Sequence, residues 1–86
     1  VGGAPEGVVV TFAIVLWLAR SVALGLWVVE HVSQVARARR RGAEGAAAWG
    51  LPVMTNWHHG DRVGPSLWAL AVLGYIVATV ASEAAR

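Results

Sequence analysis

Two apolar stretches dominate the chain. From Val8 to Val29, 22 residues carry a single charge, Arg20, and from Val63 to Ser82, 20 residues carry none. Each matches the roughly 20 residues that take an α-helix across a hydrocarbon core about 30 Å thick. A backbone in lipid must satisfy its amides within the segment, so both stretches are expected to be helices. The pattern predicts an all-α fold: an integral-membrane two-helix transmembrane hairpin occupying residues 1–86 as one unit.

The first helix is expected to begin near Gly7 and to outrun its apolar part. No Gly or Pro occurs between Glu30 and Arg41, so the helix should continue to about Arg41. That makes roughly 35 residues, or about 50 Å at 1.5 Å per residue. The excess over the bilayer implies tilt or an overhang, and Gly42 and Gly45 are the expected stops. Residues of about 42–63 form the connection. Ala46 to Trp57 is too broken by Gly50 and Pro52 to span, and too apolar for a solvated loop. It is expected in the interface, with Trp49 and Trp57 at headgroup depth. His58-His59-Gly60-Asp61-Arg62 reads as a polar turn. The second helix should cover about 64–85, with Pro65 in its first turn, where a missing N–H costs nothing. Trp68 then lies one turn in, near the same interface. Val1 to Gly7 is expected to be a short lead, with Gly2, Gly3 and Pro5 opposing order.

Composition sharpens this picture. The chain is 57% apolar and 14% charged, against about a quarter charged in a soluble domain. A soluble domain this small would have little core, and there is no cysteine to staple it. A soluble enzyme, a disordered tail and a disulfide-rich module are all disfavoured. The first stretch lacks the basic leader and small-residue cleavage site of a signal peptide, so it is expected to remain as an anchor.

Charge sets the expected orientation. Arg37, Arg39, Arg40, Arg41 and Arg62 lie between the two stretches, and Arg86 is the one basic residue beyond them. Cytoplasmic loops are rich in basic residues. The expectation is a multi-pass protein of a bacterial cytoplasmic membrane, with the loop inside and both termini outside. All seven basic residues are Arg, and 16 Ala and 15 Val accompany them, a composition in keeping with a GC-rich bacterial genome. A formal charge of +2 is too small and too local for nucleic acid. The interfacial set is Arg37, Arg39, Arg40 and Arg41, expected at anionic lipid headgroups, with Trp49, Trp57 and Trp68 fixing depth.

Small residues suggest how the helices pair, because lipid offers no hydrophobic drive between them. Ser21-x-x-x-Gly25 on the first helix and Gly74-x-x-x-Ala78 on the second lie at similar depth in an antiparallel hairpin. These faces are expected to close it.

Arg20 is the most informative residue. An unpaired charge near mid-span costs from about 3 to well over 10 kcal/mol, depending on method. No acid of the chain matches its depth: Glu6, Glu30, Glu44, Asp61 and Glu83 all fall near the interfaces. At about 100° per residue, Trp17, Arg20, Leu24, Trp27, Glu30, His31 and Gln34 share one sector of the helix. Trp17, Arg20, Trp27, Glu30, His31 and Gln34 are therefore the candidate partner-binding stripe. Arg20 can pair with an acid of a larger membrane protein, line a pore in a homo-oligomer, or snorkel and stack on Trp17.

His31 is a residue type that ligates haem or a chlorophyll magnesium, but the second helix offers no matching histidine. It reads as a hydrogen-bonded interfacial side chain. His58, His59 and Asp61 lack the third or fourth ligand and the spacing of a metal site. No catalytic or phosphate-binding motif occurs, and no cofactor or metal is expected. The expected function is that of a small non-catalytic accessory subunit of a larger integral-membrane complex. A bacterial respiratory or photosynthetic electron-transfer assembly is the expected host, and assembly, stability or a lipid, quinone or pigment site the expected service. The alternative is a self-assembling pore or holin-like membrane protein.

Overall fold

A computed structural model describes residues 5–85. Most of the expected lead, residues 1–4, and Arg86 lie outside the described residues. The elements are α1 (Glu6–Arg40), α2 (Ala46–Trp49), α3 (Pro52–His58) and α4 (Val63–Ala84), with no strand among the described residues. The 35-residue α1 sets the long dimension of a molecule measuring 56 × 20 × 16 Å. α4 runs back along it: Arg20 meets Tyr75 and Trp27 meets Trp68. The two short helices cap one end.

The glycines after α1 and α3 explain how the chain turns at that end. α1 stops because Gly42 adopts φ 95°, a left-handed conformation that costs a residue without Cβ little. Its N–H then bonds Arg39 O at 3.1 Å, and Ala43 N–H bonds Ala38 O at 3.0 Å. This pair of bonds is the Schellman motif, which satisfies carbonyls the helix leaves unpaired. The same device closes α3. Gly60 has φ 90°, its N–H bonds Trp57 O, and Asp61 N–H bonds Asn56 O, both at 3.0 Å. The second reversal returns Asp61 to the start of α4, where its carboxylate accepts the Gly64 N–H at 3.3 Å. A negative group is favourable at this helix end. The connection expected as an irregular interfacial segment is thus mostly helical.

Among the buried and half-buried residues, Leu16, Arg20, Ala23, Trp27, His31, Gln34 and Ala38 form one series along α1, and Gly64, Trp68, Ala71, Tyr75, Ala78 and Ser82 form another along α4. Both series step by three and four residues, the seam of a left-handed helix pair. Small residues alternate with aromatic ones on α4, so Trp68 and Tyr75 fill space that Gly64, Ala71 and Ala78 leave open. The expected small-residue closure requires correction. Ser21 is exposed and returns its hydroxyl to Trp17 O at 2.9 Å. Gly25 is exposed, and a Cβ there would meet nothing within 4 Å. Gly74 has only Ala23 Cβ near, at 3.9 Å from where its own Cβ would lie. Ala78 alone of the four is buried. Gly25 has the right depth but the wrong face, because two residues from Ala23 is about 200° of rotation.

The outer surface is apolar. Val9, Ile14, Leu18, Val22 and Val29 on α1, and Leu70, Leu73, Val77 and Val80 on α4, are all exposed. None of the most apolar window of α1 is buried, unlike the core helix of a soluble protein. Both α1 and α4 are long and apolar enough to cross a membrane.

The tightest helix approach is at Gly64. A Cβ there would lie 2.2 Å from Arg37 Nη2 and 2.8 Å from Gln34 Nε2. Gly64→Ala must displace an arginine held by two hydrogen bonds, at an expected cost of about 1–2 kcal/mol. Gly25→Ala, facing open space, should be neutral or slightly stabilising, by up to about 1 kcal/mol through helix propensity. Reversible unfolding of both variants in mixed micelles checks the contrast.

Candidate functional site

The capped end of the hairpin concentrates the polar chemistry. Gln34 is fully buried on α1, and Asn56 is fully buried on α3. Asn56 Nδ2 donates to Gln34 O at 3.0 Å and to Gln34 Oε1. Arg41 Nη1 donates to Asn56 Oδ1 at 2.8 Å. Beside this pair, Arg37 Nε donates to Asp61 Oδ2 at 3.0 Å, and its Nη1 donates to Ser33 Oγ. Arg41 adds a longer ion contact to Asp61 at 3.8 Å. One carboxylate therefore serves two arginines of α1 and the first turn of α4. One amide joins α1 to α3. A buried amide costs free energy unless bonded; Asn56 is bonded through both its amide atoms, whereas Gln34 is bonded through Oε1 and not through Nε2.

Next along α1, His31 joins three segments. Trp27 stacks on it, with ring centroids 4.8 Å apart and planes at 21°. Trp68 Nε1 donates to His31 Nδ1 at 3.2 Å. His31 Nε2 lies 2.9 Å from Trp49 O. An indole N–H can only donate, so Nδ1 is the acceptor, and the ring proton sits on Nε2, where it donates to the Trp49 carbonyl. Both ring nitrogens are engaged. Ligation of a metal through His31 would break one of these bonds.

Arg20 occupies a different setting. It is half-buried between the long helices. Its guanidinium carbon lies 5.5 Å from the centre of the Tyr75 ring, not over Trp17, and its Nε is buried without a hydrogen-bond partner. Trp17, Arg20, Ser21, Leu24 and Tyr75 line an open groove of about 290 Å³ on this side of the molecule. Farther toward the cap, Leu24, Trp27, Ala71, Val72, Tyr75 and Ile76 line a smaller apolar one of about 190 Å³.

The candidate partner-binding stripe thus divides, and part of it needs correction. Gln34 is enclosed within the chain, and Trp27 and His31 pack on Trp68; these three build the hairpin. Glu30 is half-buried at the edge of a notch shared with Arg37 and Asp61. Trp17, at 64% exposure, and the groove side of Arg20 face outward.

The interfacial set divides too. Arg37 and Arg41 point their guanidinium groups at Asp61 and Asn56, so they hold the fold together instead of reaching outward. Arg39 and Arg40 are exposed, Arg39 near the Trp49 ring at 5.8 Å. Arg62 stacks on Trp57 at 3.9 Å and donates to its carbonyl at 2.6 Å. Trp49 and Trp57 are exposed, whereas Trp68 is turned to His31. His58 and His59 are exposed, and Asp61 is committed to Arg37. No group of three metal-ligating side chains occurs among the described residues. Sequence reasoning passed over Asn56 and Tyr75. A heptad reading of Gly64-Trp68-Ala71-Tyr75-Ala78 would have found Tyr75; nothing local marks Asn56.

No family model, curated protein or solved structure matches this chain.

Asn56→Leu leaves Gln34 Oε1 without its partner and removes the Arg41 hydrogen bond, and is expected to cost about 2–4 kcal/mol. Trp68→Phe keeps the aromatic packing and loses one hydrogen bond, at about 1 kcal/mol. Detergent-denaturation midpoints rank the two; equal losses would contradict the assigned weights.

Proposed function

We propose that the chain is an integral-membrane hairpin acting as a small, non-catalytic accessory subunit of a larger membrane assembly. In this reading α1 and α4 cross a bacterial cytoplasmic membrane, and the capped end lies on the cytoplasmic side. That side is favoured by the exposed Arg39, Arg40 and Arg62, as basic residues collect in cytoplasmic loops. Arg39 and Arg40 are free to meet anionic headgroups, while Trp49 and Trp57 sit at interface depth.

One observation carries the reading: His31, Ser33, Gln34 and Arg37 of α1 make contacts inside the hairpin, and the outer faces are largely apolar apart from the Arg20 groove. Thr11 and Ser21, both exposed, return their hydroxyls to Gly7 O at 2.8 Å and to Trp17 O at 2.9 Å on their own helix. A pore or holin-like assembly needs a continuous polar face to line water, and Trp27, His31 and Gln34 are not available to build one. A single charged groove in an apolar surface fits specific docking better. Trp27, His31 and Trp68, among the residues behind the electron-transfer expectation, are engaged within the chain, and no host is named.

The test is affinity purification of the tagged chain from its native membrane in mild detergent, with mass and composition measured for the intact particle. A larger integral-membrane subunit in fixed stoichiometry is the expected result. A homogeneous ring of this chain alone, or a lone monomer, overturns the proposal.

A further inference from the structure

We infer that the groove formed by Arg20 and Tyr75 is a receptor for a carboxylate that a partner's transmembrane helix carries at mid-span depth. The inference rests on the accessory-subunit reading and names the chemistry of the docking contact.

The polar groups of the groove are donors in need of an acceptor. The guanidinium has five N–H groups and no acceptor atom. Its Nε is buried with no partner, and Arg20 makes no ion pair among the described residues. The Tyr75 hydroxyl makes no hydrogen bond among the described residues, while Ser21 is spent on the Trp17 carbonyl. Tyr75 offers the guanidinium only its ring face, at 5.5 Å. Such a contact leaves the charge itself uncompensated. The missing group is an anionic acceptor, and a carboxylate matches a guanidinium through two parallel hydrogen bonds.

Depth selects the source of that carboxylate. Arg20 lies 14 residues after the start of α1, about 21 Å along the helix. It lies 17 residues before Arg37, about 25 Å along the same axis. Tyr75 is likewise near the middle of α4. Lipid phosphates sit beyond the edge of a core about 30 Å thick, roughly 20 Å from its middle, so a headgroup does not reach this level without deforming the bilayer. A second copy of the hairpin supplies nothing suitable either: neither α1 nor α4 has an acid at that depth, since Glu6, Glu30 and Glu83 lie toward the helix ends or the cap. Trp17, 64% exposed on the rim, gives an incoming helix a broad apolar contact beside the charge. The groove is open, so an Asp or Glu on a packed helix can enter from the side.

The probe is a synthetic Leu/Ala transmembrane peptide in four forms: a central Asp, a central Asn, a central Leu, and an Asp moved two turns toward one end. Binding to the full-length labelled chain is read by energy transfer in phosphatidylcholine vesicles. The central Asp peptide should bind at least about tenfold more tightly than the Leu and displaced-Asp forms, with Asn between. Arg20→Leu should abolish the difference and Tyr75→Phe should reduce it. Equal binding of the four peptides to the unaltered chain overturns the inference, whether or not Arg20→Leu folds. So does competition by phosphatidylglycerol that erases the Asp preference, which would assign Arg20 to a headgroup. Failure here is separable from failure of the accessory reading. A larger subunit that co-purifies equally well with Arg20→Leu removes the groove's role alone. An Asp preference in a chain that purifies by itself removes the accessory reading alone.

Discussion

A polar side chain on an apolar helix gains most by finding hydrogen-bond partners within the protein, and this demand organises the packing at the capped end. α1 carries Arg20, His31 and Gln34 on one sector, and α4 and α3 are arranged to answer them. Asn56 meets Gln34, the Trp68 indole meets His31, and Tyr75 covers Arg20. The apolar remainder of both helices is left on the outside. In water such an arrangement would expose far more apolar surface than a monomer tolerates. Next to lipid it is the economical one, because nothing is gained by pairing Leu with Leu across helices when lipid chains serve as well.

The two ends of the hairpin differ in character. At the cap, short-range geometry and charge cooperate: two glycine-terminated helices fold the connection back so that Asp61 lies against Arg37 and Arg41. These contacts are partly shielded from solvent, with Asp61's side chain only 15% exposed, so they are screened less than a surface ion pair. Beyond the cap, α1 and α4 touch through a narrow seam of alternating aromatic and small residues. At Arg20, within that seam, the polar demand of α1 exceeds what α4 provides.

The distribution of arginine illustrates how one residue type takes several roles within a few positions. Arg37 and Arg41 lie four residues apart, about one helical turn, and face the cap together. Arg39 and Arg40, between them, point away from it. Arg62 stacks on Trp57, where its planar cation gains from the ring while remaining exposed. The basic cluster is thus half structure and half surface.

Two long helices, an antiparallel return and a connection too short to form its own domain were legible in the sequence, because length and hydropathy are properties of each segment alone. The stop at Gly42 was legible for the same reason, and so was the isolation of Arg20 from every acid of the chain. The seam was not. Small-residue spacing marked Ser21 and Gly25, yet the faces that meet are chosen by where Trp68 and Tyr75 find room, which depends on both helices at once. Nor did any local pattern show that Asn56 would reach back to Gln34, or that His31 would be held through both nitrogens. Those contacts join residues 18 to 37 positions apart, and they exist because two backbone reversals bring the cap onto α1. Sequence alone settled which segments are helical; tertiary structure decided which side of each helix is inside, because a helix presents every face and only its neighbours select one.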